Sequence, residues 1–342
     1  MGIYINGIGL ISPQETRDNS QFLEQTIPLA NSYFPIAEPP YKEYIHPREL
    51  RRMSKVIRNG IVSGKIALAD ADLKMPDAIL TGTGLGCVVD TEKFLLNMIE
   101  NKEELLTPTS FIQSSHNTLG GAIAIGLGCH QYNMTYVHKG FSFETALLDA
   151  QLMMENNEIN NCLLGGFDEM TDLHSKLLRT TNLFKSNEGA IPGQASGFFV
   201  LENEKKENSY AEILALEMIY RPTNPVEKIK SVINDLFVKY GVDSEKLVVM
   251  MGYNGFDEET KVYHQIKGDL FSQNVITHFK HLCGEFYTAS AFALWTASQM
   301  IKKQQIPDSI LFSGHNPNPN IEHVLIYNQY QQKEHSLILL SK

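Results

Sequence analysis

Basic residues are in the minority in this chain. Lys and Arg number 29 against 39 Asp and Glu, so the formal net charge is −10. That balance gives no support to nucleic-acid binding, which needs a basic face. Long apolar runs are missing too. None approaches the roughly 18 residues that a bilayer-spanning helix needs, so no membrane partner is expected. The opening MGIYINGIGLISPQ lacks both a charged stretch and a cleavage site. It reads as a first strand rather than a signal peptide, and a cytoplasmic location is expected. Cysteine is scarce: Cys87, Cys129, Cys162 and Cys283 stand far apart with no CxxC pair. No metal or cofactor is expected from such spacing, and the four read as reduced thiols. What remains is ordinary globular composition, 43% hydrophobic and 20% charged. At 342 residues the chain exceeds the roughly 100–200 expected per domain.

Apolar periodicity alternates between strand and helix along the chain. In the first half, strands are predicted at 3–8, 78–83, 134–138, 162–166 and 197–202. A helix is predicted over 48–71, with Met53, Val56, Ile57 and Ile61 on one face. Arg48, Arg51, Arg52, Lys55 and Arg58 would share the other face. Further helices are expected at 90–101, capped by Asp90, at 118–128 and at 141–155. The second of these, TLGGAIAIGLG, is rich in small residues and is expected to be buried. The charged stretch 203–209 divides the chain, and halves of 1–205 and 206–342 follow. The second half repeats the grammar. Strands are predicted at 212–218, 247–251, 309–312, 324–327 and 337–340, and helices at 226–240, 258–266 and 283–303. This pattern implies a duplicated α/β unit with mainly parallel sheets.

The segment NMTYVHKGFSFETALLDAQLMMENNEINNCLLGGFDE carries the most chemistry. It reads strand, tight turn, helix, strand, Gly-Gly. A strand-to-helix elbow exposes one residue at a helix N-terminus, where acyl-transfer enzymes place Cys or Ser. Here the elbow reads His138-Lys139-Gly140-Phe141-Ser142. Gly140 is a conformationally permissive turn residue, or a backbone N–H donor to an oxyanion. Ser142 is a first-turn residue; as a nucleophile it would need a base. Of the cysteines, Cys162 and Cys129 read as packing residues and Cys87 as accessible after its glycine turn. Cys283 is two positions from His281, which on a helix points it elsewhere.

The chain resembles the β-ketoacyl synthases. YINGIGLISP is similar to that family's first strand, and HPRELRRMSKVIRNGIVSGKIALADADL to its arginine-bearing second segment. ILTGTGLG resembles its glycine turn, CLLGGFDE its Gly-Gly-acid strand end, and NEGAIPGQASGFFVLE the close of its first half. The resemblance implies a thiolase-like fold: duplicated halves in a five-layer αβαβα arrangement, dimeric through the first half. It also implies one Cys and two His for condensation. Counted back from Gly165 and Gly166, the Cys position falls on Gly140. MMGYNGFDEET puts Asn254 at the first His. FKHLCGEFYTASAFAL puts His281 at the second, as a relic or as a group that polarises a carbonyl, with Glu285 as a helical neighbour. The lysine that precedes this motif in the family is not evident, and SGHNPNPN at 313–320 stands where a glycine-rich motif is expected.

The resemblance therefore implies a synthase-like subunit without its own condensing Cys. A chain length factor is the nearest kind, paired with an active ketosynthase as a heterodimer, or with itself. Polyene or polyketide synthesis is implied, of the aryl polyene or flexirubin type. Gly140, Phe141, Ser142, His116 and Asn117 would line the acyl pocket; His116-Asn117-Thr118 also reads as a helix cap. Arg48, Arg51, Arg52, Lys55 and Arg58 would dock an acidic acyl carrier protein, or form a solvated face. Two other readings stay open. One is a stand-alone decarboxylase or acyltransferase using His281. The other is a non-catalytic module that binds acylated carrier protein.

Overall fold

The computed structural model describes residues 2–29, 32–104, 106, 108–181, 184, 189–314 and 320–342. In chain order the strands are β1 (Tyr4–Ile11), β2 (Ala78–Gly82), β3 (Tyr132–Tyr136), β4 (Asn161–Asp168), β5 (Ala195–Glu202), β6 (Ala211–Tyr220), β7 (Leu247–Met251), β8 (Val275–His278), β9 (Leu311–Ser313), β10 (His323–Tyr330) and β11 (Glu334–Ser341). The helices are α1 (Pro47–Leu50), α2 (Lys55–Asp70), α3 (Val88–Glu100), α4 (Pro108–Gln113), α5 (Thr118–Leu127), α6 (Ser142–Glu155), α7 (Asp172–Leu178), α8 (Pro225–Tyr240), α9 (Asp257–Leu270), α10 (Lys280–Cys283) and α11 (Ala289–Lys303).

The two halves use one topology twice. The first half runs β3-β2-β4-β5-β1, and the second runs β8-β7-β10-β11-β6 with β9 added on the edge. In each half the corresponding strand pairs have the same sense. β2 is parallel to β3 and β4, and β7 to β8 and β10. The remaining strands pair antiparallel, β4 with β5, β5 with β1, β10 with β11 and β11 with β6. The sheets are thus mixed rather than mainly parallel. The reason is connectivity: β10 returns directly through a turn to β11, and a hairpin can only be antiparallel. A short antiparallel contact, Tyr4 to Glu212 and Ile5 to Ala211, joins the halves.

Helices fill three layers around the two half-sheets. α6 and α11 lie between them, and α11 touches β1, β4 and β5 of one half and β6 and β10 of the other. A helix in that position has no solvent face, which explains why every residue from Ala289 to Ile301 is buried. The core between the half-sheets includes Phe143, Phe199, Phe292 and Trp295. α2 and α5 cover the outer face of the first half. α8 and α9 cover the second. The layers run αβαβα, as expected.

Three local expectations are corrected. The predicted helix over 48–71 is broken after Leu50. Arg58 Nη2 donates to Leu50 O at 2.8 Å and Nε to Met53 O at 2.9 Å, so those carbonyls serve a side chain instead of a continuing helix. The small-residue helix α5 lies at the surface rather than in the interior. Ile125 is 85% exposed, and only Leu119, Gly120 and Ile123 are buried. Asn117 precedes α5 without capping it; Thr118 instead donates to Ile112 O. Strand β8 was absent from the sequence reading, because four residues hold too short a pattern to see.

Candidate functional site

The elbow lies between β3 and α6. A single 3-10 turn, Lys139–Phe141, carries the chain from strand to helix. Ser142 Oγ donates to Lys139 O at 2.7 Å and accepts from His138 N at 2.9 Å. Its hydroxyl is consumed in holding the turn, and its side chain is fully buried. The strained residue is Lys139, with φ +53. Gly140 is not in the left-handed region, so conformational permissiveness does not explain it. Close approach does: a Cβ here would collide with the Glu334 carboxylate and with Tyr330.

Tyr330 and Glu334 bound the turn between β10 and β11, where Gln331 and Gln332 both have positive φ. This turn reaches the elbow. Of the stretch 313–320, residues 315–319 lie outside the described residues. The Tyr330 ring stands 5.0 Å from that of Tyr287, and Tyr287 in turn packs on Gly84 of the glycine turn after β2. The space in front of the elbow is therefore filled with side chains. Burial and the neighbouring Tyr287 push the Tyr330 phenol far above its ordinary range, so it stays protonated.

The Gly-Gly-acid strand end acts as scaffold. Asp168 Oδ1 accepts from Gly84 N at 2.8 Å, and Oδ2 accepts from Thr288 N and Oγ1 at 2.9 Å each. It ties the glycine turn to the start of α11. Burial raises its pKa to about 6.

A second cluster lies at the inner end of a cleft of about 470 Å³ between α9, β8 and α10. Lys280 Nζ meets Glu285 Oε2 at 2.7 Å, with both side chains almost wholly buried. Lys280 also donates to Gln329 O at 3.1 Å. Asn254 Nδ2 donates to Glu285 Oε2 at 2.7 Å and to Glu259 Oε2 at 2.6 Å. Burial and the Glu285 charge push Glu259 up to about 7. Glu285 is raised by burial, against the pull of Lys280. Backbone pairing fixes the cluster to the first half: Glu285 N donates to Ile191 O, and Gly193 N to Glu285 O. Gly193 must lack a side chain, since a Cβ would strike the Cys283 carbonyl.

Of the residues singled out from sequence, Asn254 is in this cluster and His281 is on its rim. The His281 ring stacks on His278 at 3.7 Å, and its Nε2 lies 2.7 Å from Ser309 O. Burial lowers the pKa of both rings, that of His278 to about 3, so both are neutral at pH 7. Helix α10 ends at Cys283 and Gly284 takes φ +81, so Glu285 turns away from a helical pairing with His281 and onto Lys280. Lys280 carries a signal in the sequence: it and Glu285 stand five apart in a largely apolar stretch, with Gly284 between.

His116 and Asn117 are exposed on the turn before α5. Asn117 joins Arg48, Arg51 and Arg52 around an open groove of about 950 Å³ floored by Ile57, Ile112 and Ile125. Lys55 pairs with Glu38, and Arg58 is turned into α1, so neither faces that groove. All four cysteines are buried, and Cys87 is 0% exposed, contrary to its expected accessibility. Burial drives the Cys87, Cys162 and Cys283 thiols far above their ordinary range, which leaves them unreactive.

No family model matches the chain, and no curated protein matches it in sequence. Solved structures do match. One is the ishigamide ketosynthase/chain length factor, with a TM-score of 0.81 and 17% identity, over 100% of this chain and 99% of that one. Another is a type II PKS acyl-carrier protein in complex with its ketosynthase, with a TM-score of 0.78 and 17% identity over 99% of both chains. A β-ketoacyl synthase from Burkholderia phymatum STM815 matches with a TM-score of 0.74 and 14% identity, over 100% of this chain and 99% of that one. The chain has the thiolase-like fold of the ketosynthases. On that fold, His138, Lys139, Gly140, Phe141 and Ser142 form the turn between β3 and α6, and a buried Lys–Glu–Asn–Glu cluster stands in the second half. Among the described residues no helix is long and apolar enough to cross a membrane.

Proposed function

We propose that this chain is a non-condensing ketosynthase-fold subunit, related in role to a chain length factor, that works beside an active ketosynthase and receives acyl carrier protein. The observation that carries the reading is the closed elbow. Gly140 has no side chain, Ser142 is engaged twice, and Tyr330 and Glu334 occupy the space where an acyl group would be attached. Acyl transfer needs an exposed nucleophile beside a base, and neither Gly140 nor the engaged Ser142 supplies one.

Two surfaces support partnership. β3 is the outermost strand of its sheet, and an unpaired edge is a template for pairing with another chain. Tyr132 and Met134 on it are each 40% exposed, and Ile125 on α5 beside it is 85% exposed. The partner is an active ketosynthase of the same fold, or a second copy. The groove with Arg48, Arg51 and Arg52 suits an acidic carrier protein, since none of the three makes an ion pair among the described residues. A role in polyene, aryl polyene or flexirubin-type synthesis in the cytoplasm belongs to the same proposal.

Malonyl decarboxylation through His281 fits less well. Its ring is held by Ser309 O, and the two carboxylates at the inner end of the cleft repel an anionic extender. The test is co-expression with a Cys-bearing ketosynthase and its acyl carrier protein. The expected result is a stoichiometric complex, with acyl adducts found by mass spectrometry on the partner alone. An adduct on this chain, or turnover by this chain in isolation, overturns the proposal. Binding of carrier protein with no ketosynthase partner would favour a stand-alone binding module instead.

A further inference from the structure

The cleft that ends on Glu285 is built for something other than an anionic extender. Its inner end carries two carboxylates, Glu259 and Glu285, against one ammonium, Lys280. Among the described residues that line the cleft Lys280 is the one ammonium; Lys267 of α9 is not among them and stands over the Phe312 ring. His278 and His281 are neutral rings, and burial keeps Tyr253 protonated. Above about pH 7, where Glu259 ionises, the two carboxylates outnumber the one ammonium, and a charge held away from water without a partner is costly.

Glu285 also has an idle acceptor. Its Oε2 takes Lys280 and Asn254, but Oε1 is buried with no hydrogen-bond partner among the described residues. The residue is 1% exposed and lines the cleft. The Tyr253 hydroxyl, on the same lining, is buried and unpartnered as well. Among the described residues nothing donates to that carboxylate oxygen, so it can take a donor from outside the chain, and the tyrosine hydroxyl can accept one too.

The wall above them is aromatic. The rings of Tyr253 and Phe312 stack at 4.4 Å, with His264 5.4 Å from Tyr253 and His278 5.2 Å from Phe312. Ring faces attract cations, and Phe312 already has the Lys267 ammonium 5.3 Å from its centroid. The idle acceptor, the excess of carboxylate over ammonium and the aromatic wall point to one chemistry.

We propose that this cleft binds an organic ammonium, with the nitrogen donating to Glu285 Oε1 and the apolar body lying against Tyr253 and Phe312. The inference stands whether or not the chain partners a ketosynthase.

The test is isothermal titration calorimetry of the full chain at pH 8 with three probes that share one ring: benzylamine hydrochloride, benzyl alcohol and sodium benzoate. The amine should bind saturably and at least about tenfold more tightly than the alcohol, the worth of a hydrogen bond to a buried charge. Benzoate should not bind. Glu285→Gln should weaken the amine by about tenfold, and Phe312→Ala by about threefold. Phe312 is 37% exposed, so its removal leaves the core intact and serves where Glu285→Gln fails to fold. Benzoate or alcohol binding as tightly as the amine overturns the proposal. So does absence of binding by all three, or undiminished amine binding in either folded variant.

Discussion

Gly140 packs under Tyr330 so closely that a Cβ at the elbow would collide with the tyrosine's own Cβ. The contact joins the start of α6 to the turn after β10. Gly140→Cys should therefore not create a condensing enzyme. The variant should lose about 1–3 kcal/mol of stability from overpacking. Urea denaturation measures the loss. Mass spectrometry after incubation with acyl carrier protein should find no thioester on residue 140, and a thioester there would show that the elbow opens.

Lys280 and Glu285 are paired with both side chains almost wholly buried. Lys280→Met leaves two buried carboxylates facing each other and should cost about 3–5 kcal/mol, the penalty for an orphaned buried charge. Lys280→Met with Glu285→Leu removes both members of the pair, and most of that loss should be recovered. Chemical denaturation of the single and double variants compares the two. Equal losses would mean that the pair is not coupled.

The acidic interior also sets a pH dependence. Burial raises Glu144 to about 7, although its Oε1 accepts from Ser290 and Ser336. The folded chain then holds a proton that the unfolded chain releases between about 4.5 and 7. Stability from this group is fully present at low pH and is lost as pH rises through 7. Glu169 and Glu259, each raised to about 7, act in the same direction. Glu144→Gln should shrink the fall in stability between pH 5 and pH 8 by an amount on the order of 1–3 kcal/mol, without abolishing it. Urea midpoints at the two pH values decide this. A fall as large as that of the unaltered chain would refute the assignment to Glu144.

Assembly should depend on the exposed edge. Met134→Glu with Ile125→Glu places charge on β3 and α5 where apolar side chains face solvent. Each change should alter the stability of the isolated chain by about 0.5 kcal/mol or less, as for other surface positions. Size-exclusion chromatography should show that the complex with a ketosynthase, or with a second copy, is lost. A complex that survives would place the interface elsewhere.

Arg51→Glu with Arg52→Glu should weaken carrier-protein binding by about tenfold at low salt and flatten its dependence on ionic strength. Lys55→Glu should do little, because Lys55 is exposed, paired with Glu38 and turned away from the groove. Surface plasmon resonance across a salt series separates the two outcomes.

Much of the architecture was legible because burial leaves a periodic trace. The apolar runs in β2, β4, β5 and β7 mark strands covered on both faces, and they end within a few residues of where they were expected. The break after Leu50 left no trace, because it depends on Arg58 reaching back to two carbonyls. The surface position of α5 was hidden as well. Small apolar residues read the same whether a helix is packed in a core or held ready for a partner.

By itself, the sequence determined the duplicated α/β grammar, the acidic surface and an elbow with no cysteine. These are properties of composition and of neighbours along the chain. Only the tertiary structure decided what surrounds the elbow and which groups meet in the cleft. Tyr330 reaches Gly140 from the other half, and Asn254 reaches Glu285 from 31 residues away. Glu285 leaves the helical face it would share with His281 because Gly284, with positive φ, ends α10. Hydrogen bonds and collisions between distant segments carry no periodicity, so folding alone brings them into view.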